Sequence, residues 1–182
     1  MKKSLFLLVA IVILVPMTAT AQKVRTDFDK ATSFAGFKTY AWREGTPAKN
    51  PLVDQRIIAG VESRLAAKGI TKASSVETAD LVIAYHAATD TETQINTYST
   101  GGWGYGYGWG WGGGGGSTTT NIQKIPVGEL VVDMADVKQR KFVWRGTATA
   151  TLSSKPEKNE KLINNALDKM FEAFPPGVAK AK

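Results

Sequence analysis

The chain has no cysteine, a single histidine and no apolar stretch of membrane-spanning length. Without cysteine there is no disulfide framework, no thiolate nucleophile, no Cys-ligated zinc or iron–sulfur site, and no thiol to carry a lipid at an N-terminal cleavage point. With His86 as the one imidazole, there is no His pair for a transition metal and no second ring for a proton relay. No G-x-S-x-G elbow occurs, and the glycine-rich tract lacks the Gly-Lys-Ser/Thr of a phosphate loop and opens no helix. No nucleophile–base–orienter set is left, so neither catalysis nor a resident metal or cofactor is expected. What is present is enough for a globular body. The chain has 182 residues, 43% hydrophobic and 21% charged, which suits one core-forming domain with an appendage.

The N-terminus has the layout of an export signal. Lys2 and Lys3 form a positive start, Leu5 to Val15 is an unbroken apolar run of 11 residues, Pro16 breaks it, and Ala19-Thr20-Ala21 supplies small residues for cleavage. The expected cut lies between Ala21 and Gln22. A retained anchor is the competing reading, but a spanning helix needs about 20 apolar residues. Removing residues 1–21 takes two lysines and no acids, lowering the formal net charge from +7 to +5. That excess is scattered. Lys23, Arg25 and Lys30 alternate with Asp27 and Asp29, and Lys155, Lys158 and Lys161 with Glu157 and Glu160. Mixed signs at this density describe a solvated surface, so nucleic acid is not an expected partner. A weak, salt-sensitive attraction to anionic envelope polymers or headgroups fits the remaining charge.

Periodicity then lays out the body. Val24, Thr26 and Phe28 alternate with Arg25, Asp27 and Asp29, and Phe37 to Trp42 forms a second short, aromatic strand. Asn50-Pro51 starts a helix of about 17 residues, with Val53, Ile57, Ile58, Val61 and Leu65 on one face and Gly69 past its end. Ala79 to Tyr85 is a buried strand that runs on through the strict alternation of Thr89 to Thr97. After the glycine tract, Thr118 to Ile125 is polar and extended, which makes a long hairpin the simplest topology. Leu130, Val132 and Met134 mark another strand. In the next, Phe142, Trp144, Gly146, Ala148, Ala150 and Leu152 form the inward set. Ser154 and Glu157 match a capping box, and Leu162, Ile163, Ala166, Leu167, Met170, Phe171 and Phe174 share a helical face. The order β-β-α-β-(Gly–aromatic loop)-β-β-α predicts an α+β two-layer sandwich: a mostly antiparallel sheet with both helices on one face. The expected parts are a signal peptide over 1–21, one domain over 22–178 with a loop insertion at 99–118, and a loose tail at 179–182.

With these segments placed, the chain resembles a bacterial envelope family known only as domain of unknown function 4136, whose members are typically described as lipoproteins. The matching pieces are the Val24 to Asp29 strand, Phe37-Lys-Thr-Tyr-Ala-Trp42, Leu65-Ala-Ala-Lys-Gly69, Ala79-Asp-Leu-Val-Ile-Ala-Tyr-His86, Gly128-Glu-Leu-Val-Val-Asp133, Lys141-Phe-Val-Trp-Arg-Gly146 and Phe174-Pro-Pro176. A glycine- and aromatic-rich insertion is also similar to that family. The resemblance implies an exported envelope protein and supplies no activity. Many relatives carry a lipobox cysteine after the signal. Here Ala21-Gln22 stands instead, which excludes a lipid at that site and favours a periplasmic or secreted protein.

Individual side chains give little chemistry. On one strand Asp80, His86 and Asp90 share a face, but about 20 Å and 13 Å separate them at 3.3 Å per residue, so His86 would need a partner from elsewhere. Asp133 and Asp136 flank a turn, where Asp bonds its own backbone. Glu157 and Glu160 lie in a helix's first turn, where negative charge is favoured. Neither pair is set apart as glycosidase carboxylates. Lys141 and Arg145 fall on an exposed strand face, and Arg145 is a lone candidate for an anion.

Residues 101–116 read GGWGYGYGWGWGGGGG, 11 glycines with Trp103, Tyr105, Tyr107, Trp109 and Trp111. Large rings on a glycine leash suit a partner: a membrane interface, the apolar face of an envelope saccharide, or an envelope protein. A tolerated low-complexity loop accounts for the same composition. The expectation is an exported, non-enzymatic interaction module that uses these five rings. Its alternatives are a structural or stress-associated envelope protein that self-associates, and, behind it, a small hydrolase at His86. The oligomeric state is not fixed by the sequence.

Overall fold

The computed structural model describes residues 22–100 and 117–176. Six strands and two helices form an open, mixed sheet with the helices on one side. The strands are β1 (Lys23–Phe28), β2 (Thr39–Trp42), β3 (Thr71–Lys72), β4 (Leu81–Thr100), β5 (Ser117–Asp136) and β6 (Lys141–Thr151), and the helices are α1 (Pro51–Ala67) and α2 (Pro156–Glu172). Spatial order is β1-β6-β5-β4-β2-β3. Pairing is antiparallel from β1 through β4, while β2 runs parallel to both β4 and β3. The connection from β2 to parallel β4 carries α1 across the sheet, as a parallel pair requires.

Helix α1 follows its sequence signals. Asn50 Oδ1 accepts from Leu52 N at 2.9 Å, Pro51 occupies the first turn, and Gly69 takes φ +75° beyond the end. Helix α2 departs from them. Its N-cap is Lys155, without a side-chain cap, because the helix begins at Pro156. Asn159 instead holds the preceding turn, accepting from Ser153 N and donating to Ser153 O, both at 2.8 Å. The two helices run parallel. Arg56 meets Glu160 at 3.4 Å and Arg64 meets Asp168 at 2.8 Å, so both N-termini lie at the same end of the sheet.

The core lies between this helical layer and the sheet. Ile57, Val61 and Leu65 of α1 and Leu167, Met170 and Phe171 of α2 close over Leu81 and Ile83 of β4, Val132 and Met134 of β5 and Trp144 of β6. Phe34, Trp144, Phe171 and Phe174 pack edge to face at one end. One inward assignment fails. Phe142 is 70% exposed while Val143 is buried, because the β5–β6 register shifts between Met134 and Ala135 and leaves Val143 as the extra residue of a bulge. The bulge turns Phe142 outward and restores alternation from Trp144 on.

Polar pins lock the layers. Tyr85 on β4 donates its hydroxyl to Asp54 in the first turn of α1, and Asp54 also accepts from Ala48 N at 3.1 Å. Asp80 Oδ2 accepts from Lys38 N, Thr39 N and Thr39 Oγ1 at 2.9–3.0 Å, which fixes the entry to β2. Glu62 accepts from Trp42 Nε1 at 2.8 Å and Lys72 Nζ at 2.9 Å.

Candidate functional site

Of the residues singled out by sequence, Ala21, Trp103, Tyr105, Tyr107, Trp109 and Trp111 lie outside the described residues, as does the expected tail at 179–182. What can be described is how the chain approaches them. The β4–β5 pairing continues without a break from Leu81↔Asp136 to Thr100↔Ser117, so the expected 99–118 insertion narrows to 101–116. On the body this hairpin is flanked by β6 and β2. Beyond the last β5–β6 pair, Val127↔Thr151, it runs on as a two-stranded ribbon. Ten pairs, Thr91↔Pro126 to Thr100↔Ser117, extend it by about 33 Å. Ile95 and Ile122 face each other across the ribbon, 63% and 61% exposed. Gln22, at the other end of the described chain, donates its side-chain amide to Leu162 O of α2 at 2.7 Å.

The chemistry-bearing side chains are dispersed. His86 is exposed, and its Nδ1 stands 2.9 Å from Thr46 Oγ1. Asp80 is occupied by β2, and its pKa is held below the ordinary carboxylate value chiefly by the Lys38 backbone amide. Asp90 lies on the ribbon side of the body, paired with Val127. Asp133 and Asp136, three residues apart on β5, point to opposite sheet faces. Asp136 accepts from Gln139 N at 2.9 Å, the local turn bond its position suggested. Arg145 is not available to an anion: its guanidinium forks onto Asp133 from the neighbouring strand. Lys141 is likewise tied to Asp29 at 2.7 Å. That contact, with Ala31 N and Thr32, holds the Asp29 carboxyl down at about 2. Glu160 pairs with Arg56, while Glu157 sits exposed in the first turn of α2. Among the described residues no three His, Asp or Glu gather in a metal-holding group, and no helix is long and apolar enough to cross a membrane.

A cavity of about 560 Å³, unanticipated from the sequence, opens between the two helix N-termini and the sheet. Its floor is made small by Ala87, Gly128, Ala148 and Ala150, which the registers Ala87↔Leu130, Leu130↔Ala148 and Gly128↔Ala150 bring onto neighbouring strands. Val53 and Ile57 of α1 and Leu162 and Ile163 of α2 wall it. Gln22, Lys49, Asn50 and Asn159 stand at its polar edge. The one sequence trace of this space is the run of small residues at alternate positions 146, 148 and 150, where a wholly packed strand face carries larger side chains. Size and lining fall in the range of small-molecule pockets.

The α+β body and its two parallel helices place the chain among two-layer sandwiches, and the sequence specifies which. The profile of a domain of unknown function (DUF4136) matches residues 24–176, and the chain belongs to that family. Among solved structures, a DUF4136 family protein from Bacteroides thetaiotaomicron is similar at 20% identity, covering 85% of this chain and 96% of that one with a TM-score of 0.52. A PDZ domain protein from Parabacteroides distasonis is similar at 14% identity and a TM-score of 0.56 over 88% of this chain, which spans 38% of that protein's length. At these identities the likeness is one of fold. No curated protein matches the chain.

Proposed function

We propose that this chain is an exported cell-envelope protein, released by cleavage after Ala21, that works as a non-enzymatic interaction module. Its contact element is the segment at the end of the β4–β5 ribbon, with Trp103, Tyr105, Tyr107, Trp109 and Trp111 as the anchoring rings. Its partner is a membrane interface, an envelope saccharide or an envelope protein. The ribbon carries the reading. Its ten pairs beyond the body extend about 33 Å before the chain reaches residue 101. A ribbon that carries its connecting segment away from the helices and the covered part of the sheet supports contact with something external. Among the described residues His86, Asp80 and the Asp133–Arg145 pair are engaged in three separate contacts, which supports a binding role over hydrolysis.

The test is sedimentation of the intact chain and of a 101–116 deletion with phosphatidylethanolamine–phosphatidylglycerol vesicles and with insoluble cell-wall glycan. The intact chain is expected to pellet with one of them and the deletion to stay in solution. Equal behaviour of the two chains contradicts the reading.

Self-association is favoured by a different observation. Both edges of the ribbon lack a neighbouring strand among the described residues, and its ten rungs carry few charges to block pairing, with Glu92 and Lys124 on opposite faces. Light scattering coupled to size exclusion decides it, since a strict monomer across concentrations removes this alternative.

A further inference from the structure

We propose that the cavity at the N-terminal ends of α1 and α2 binds the anion of a straight-chain fatty acid. This goes beyond the contact role of the ribbon and rests on other residues. The cavity, about 560 Å³, is walled by Val53, Ile57 and Ile163 above Ala87, Ala148 and Ala150. Burying hydrocarbon there is favourable for every methylene taken out of water.

Three polar side chains at the edge already hold a partner. Gln22 is bound to Leu162 O, Asn50 to Leu52 N, and Asn159 to Ser153. A saccharide or a peptide entering the cavity would leave its hydroxyls or amides without partners, an unfavourable exchange for water. An alkyl chain has no such groups.

The charge at the mouth selects the head. Lys49 lines the cavity and has no ion-pair partner among the described residues. The parallel helices bring two positive dipole ends to the same place. Glu129 also contributes to the lining, but alternation with Gly128 and Leu130 sends its side chain to the opposite sheet face. Asp54 is engaged by Tyr85 and Ala48, and Glu160 by Arg56. A carboxylate at the mouth thus meets a cation and two helix ends, with its chain running between helices and sheet.

Calorimetric titration of the purified chain with dodecanoate, and with dodecyl maltoside as the same chain on an uncharged head, tests this. Dodecanoate is expected to bind saturably with a dissociation constant of about 1–100 μM. Ala150→Phe, which fills the floor, is expected to weaken both probes about tenfold or more, with its melting curve as the folding control. Lys49→Glu, at an exposed position with no fold to lose, is expected to weaken dodecanoate about fivefold and leave dodecyl maltoside within about twofold. Absence of saturable dodecanoate binding overturns the proposal. So does an Ala150→Phe chain that melts like the parent and binds equally well. Equal weakening of both probes by Lys49→Glu overturns the carboxylate assignment.

Discussion

Arg145 and Asp133 are direct cross-strand partners on β6 and β5, joined by two parallel hydrogen bonds, Nε to Oδ1 at 2.5 Å and Nη2 to Oδ2 at 2.8 Å. Asp133 is 4% exposed, although it lies on the sheet face that the helices do not cover. The arginine's stem and fork shield it, and the carboxylate keeps the guanidinium pKa above its ordinary value. Arg145→Ala leaves a shielded carboxylate without its donors and is expected to cost about 1.5–3 kcal/mol, nearer the lower figure because the guanidinium itself is half exposed. Arg145→Lys keeps the charge and loses the fork, so an intermediate cost is expected. Urea unfolding at neutral pH measures both.

Acid sensitivity follows from the carboxylates that the fold holds ionised. Asp29 sits at about 2 against an ordinary 3.8, and Glu62 and Asp80 are lowered too, by Lys72 and by the Lys38 amide respectively. A lowered folded-state value stabilises the protein above the unfolded value and is lost as pH falls. The urea midpoint is expected to hold down to about pH 4 and drop between pH 4 and 2, and Asp80→Asn is expected to reduce that drop. At the alkaline end, burial and then Glu62 push Tyr40 up to about 12, and burial and then Asp54 raise Tyr85. Their contribution is full below pH 10 and lost above it. Absorbance titration at the phenolate band should show two tyrosines ionising only above pH 10.

How much of this was legible in the sequence depends on the range of each signal. Helix α1 was readable throughout because Asn50, Pro51, Ile57, Val61, Leu65 and Gly69 act within a turn or two of each other. β3 escaped notice because two residues have no period. The capping box at Ser154 misled because Pro156 sets the helix start on its own and leaves Lys155 as N-cap. Phe142 misled because a bulge is a property of two strands together. The cavity was hidden for the same reason: Ala87, Gly128 and Ala148 are far apart in the chain, and only strand register gathers them.

Two glycines are fixed by close approach. A Cβ on Gly45 would fall on the Tyr85 carbonyl, which is backbone and does not yield, so Gly45→Ala is expected to displace the loop that carries Lys49. At Gly146 a Cβ would meet the Trp144 ring at 2.6 Å and Met170 at 3.0 Å. Gly146→Val is expected to cost about 1–3 kcal/mol through overpacking of that junction. Thermal unfolding of each variant checks the order, with both below the parent.

The ribbon is expected to be energetically separate from the body. Replacing both Ile95 and Ile122 by Thr removes exposed apolar surface without opening the core, so body stability is expected to change by less than about 0.5 kcal/mol. If self-association runs through the ribbon, the same replacement lowers it, and sedimentation velocity reads that effect independently of stability. Hydrogen exchange is expected to be fast at 91–97 and 120–126 and slow at 81–85 and 130–134.

Fractionation of cells that express either the intact chain or the 101–116 deletion, with mass determination of the recovered protein, goes straight to the central claim. The expected result is a product beginning at Gln22 in both cases, with the intact chain held in the envelope fraction and the deletion released into the soluble periplasm. A full-length product inside the cytosol, or a deletion that stays with the envelope as the intact chain does, would contradict the account.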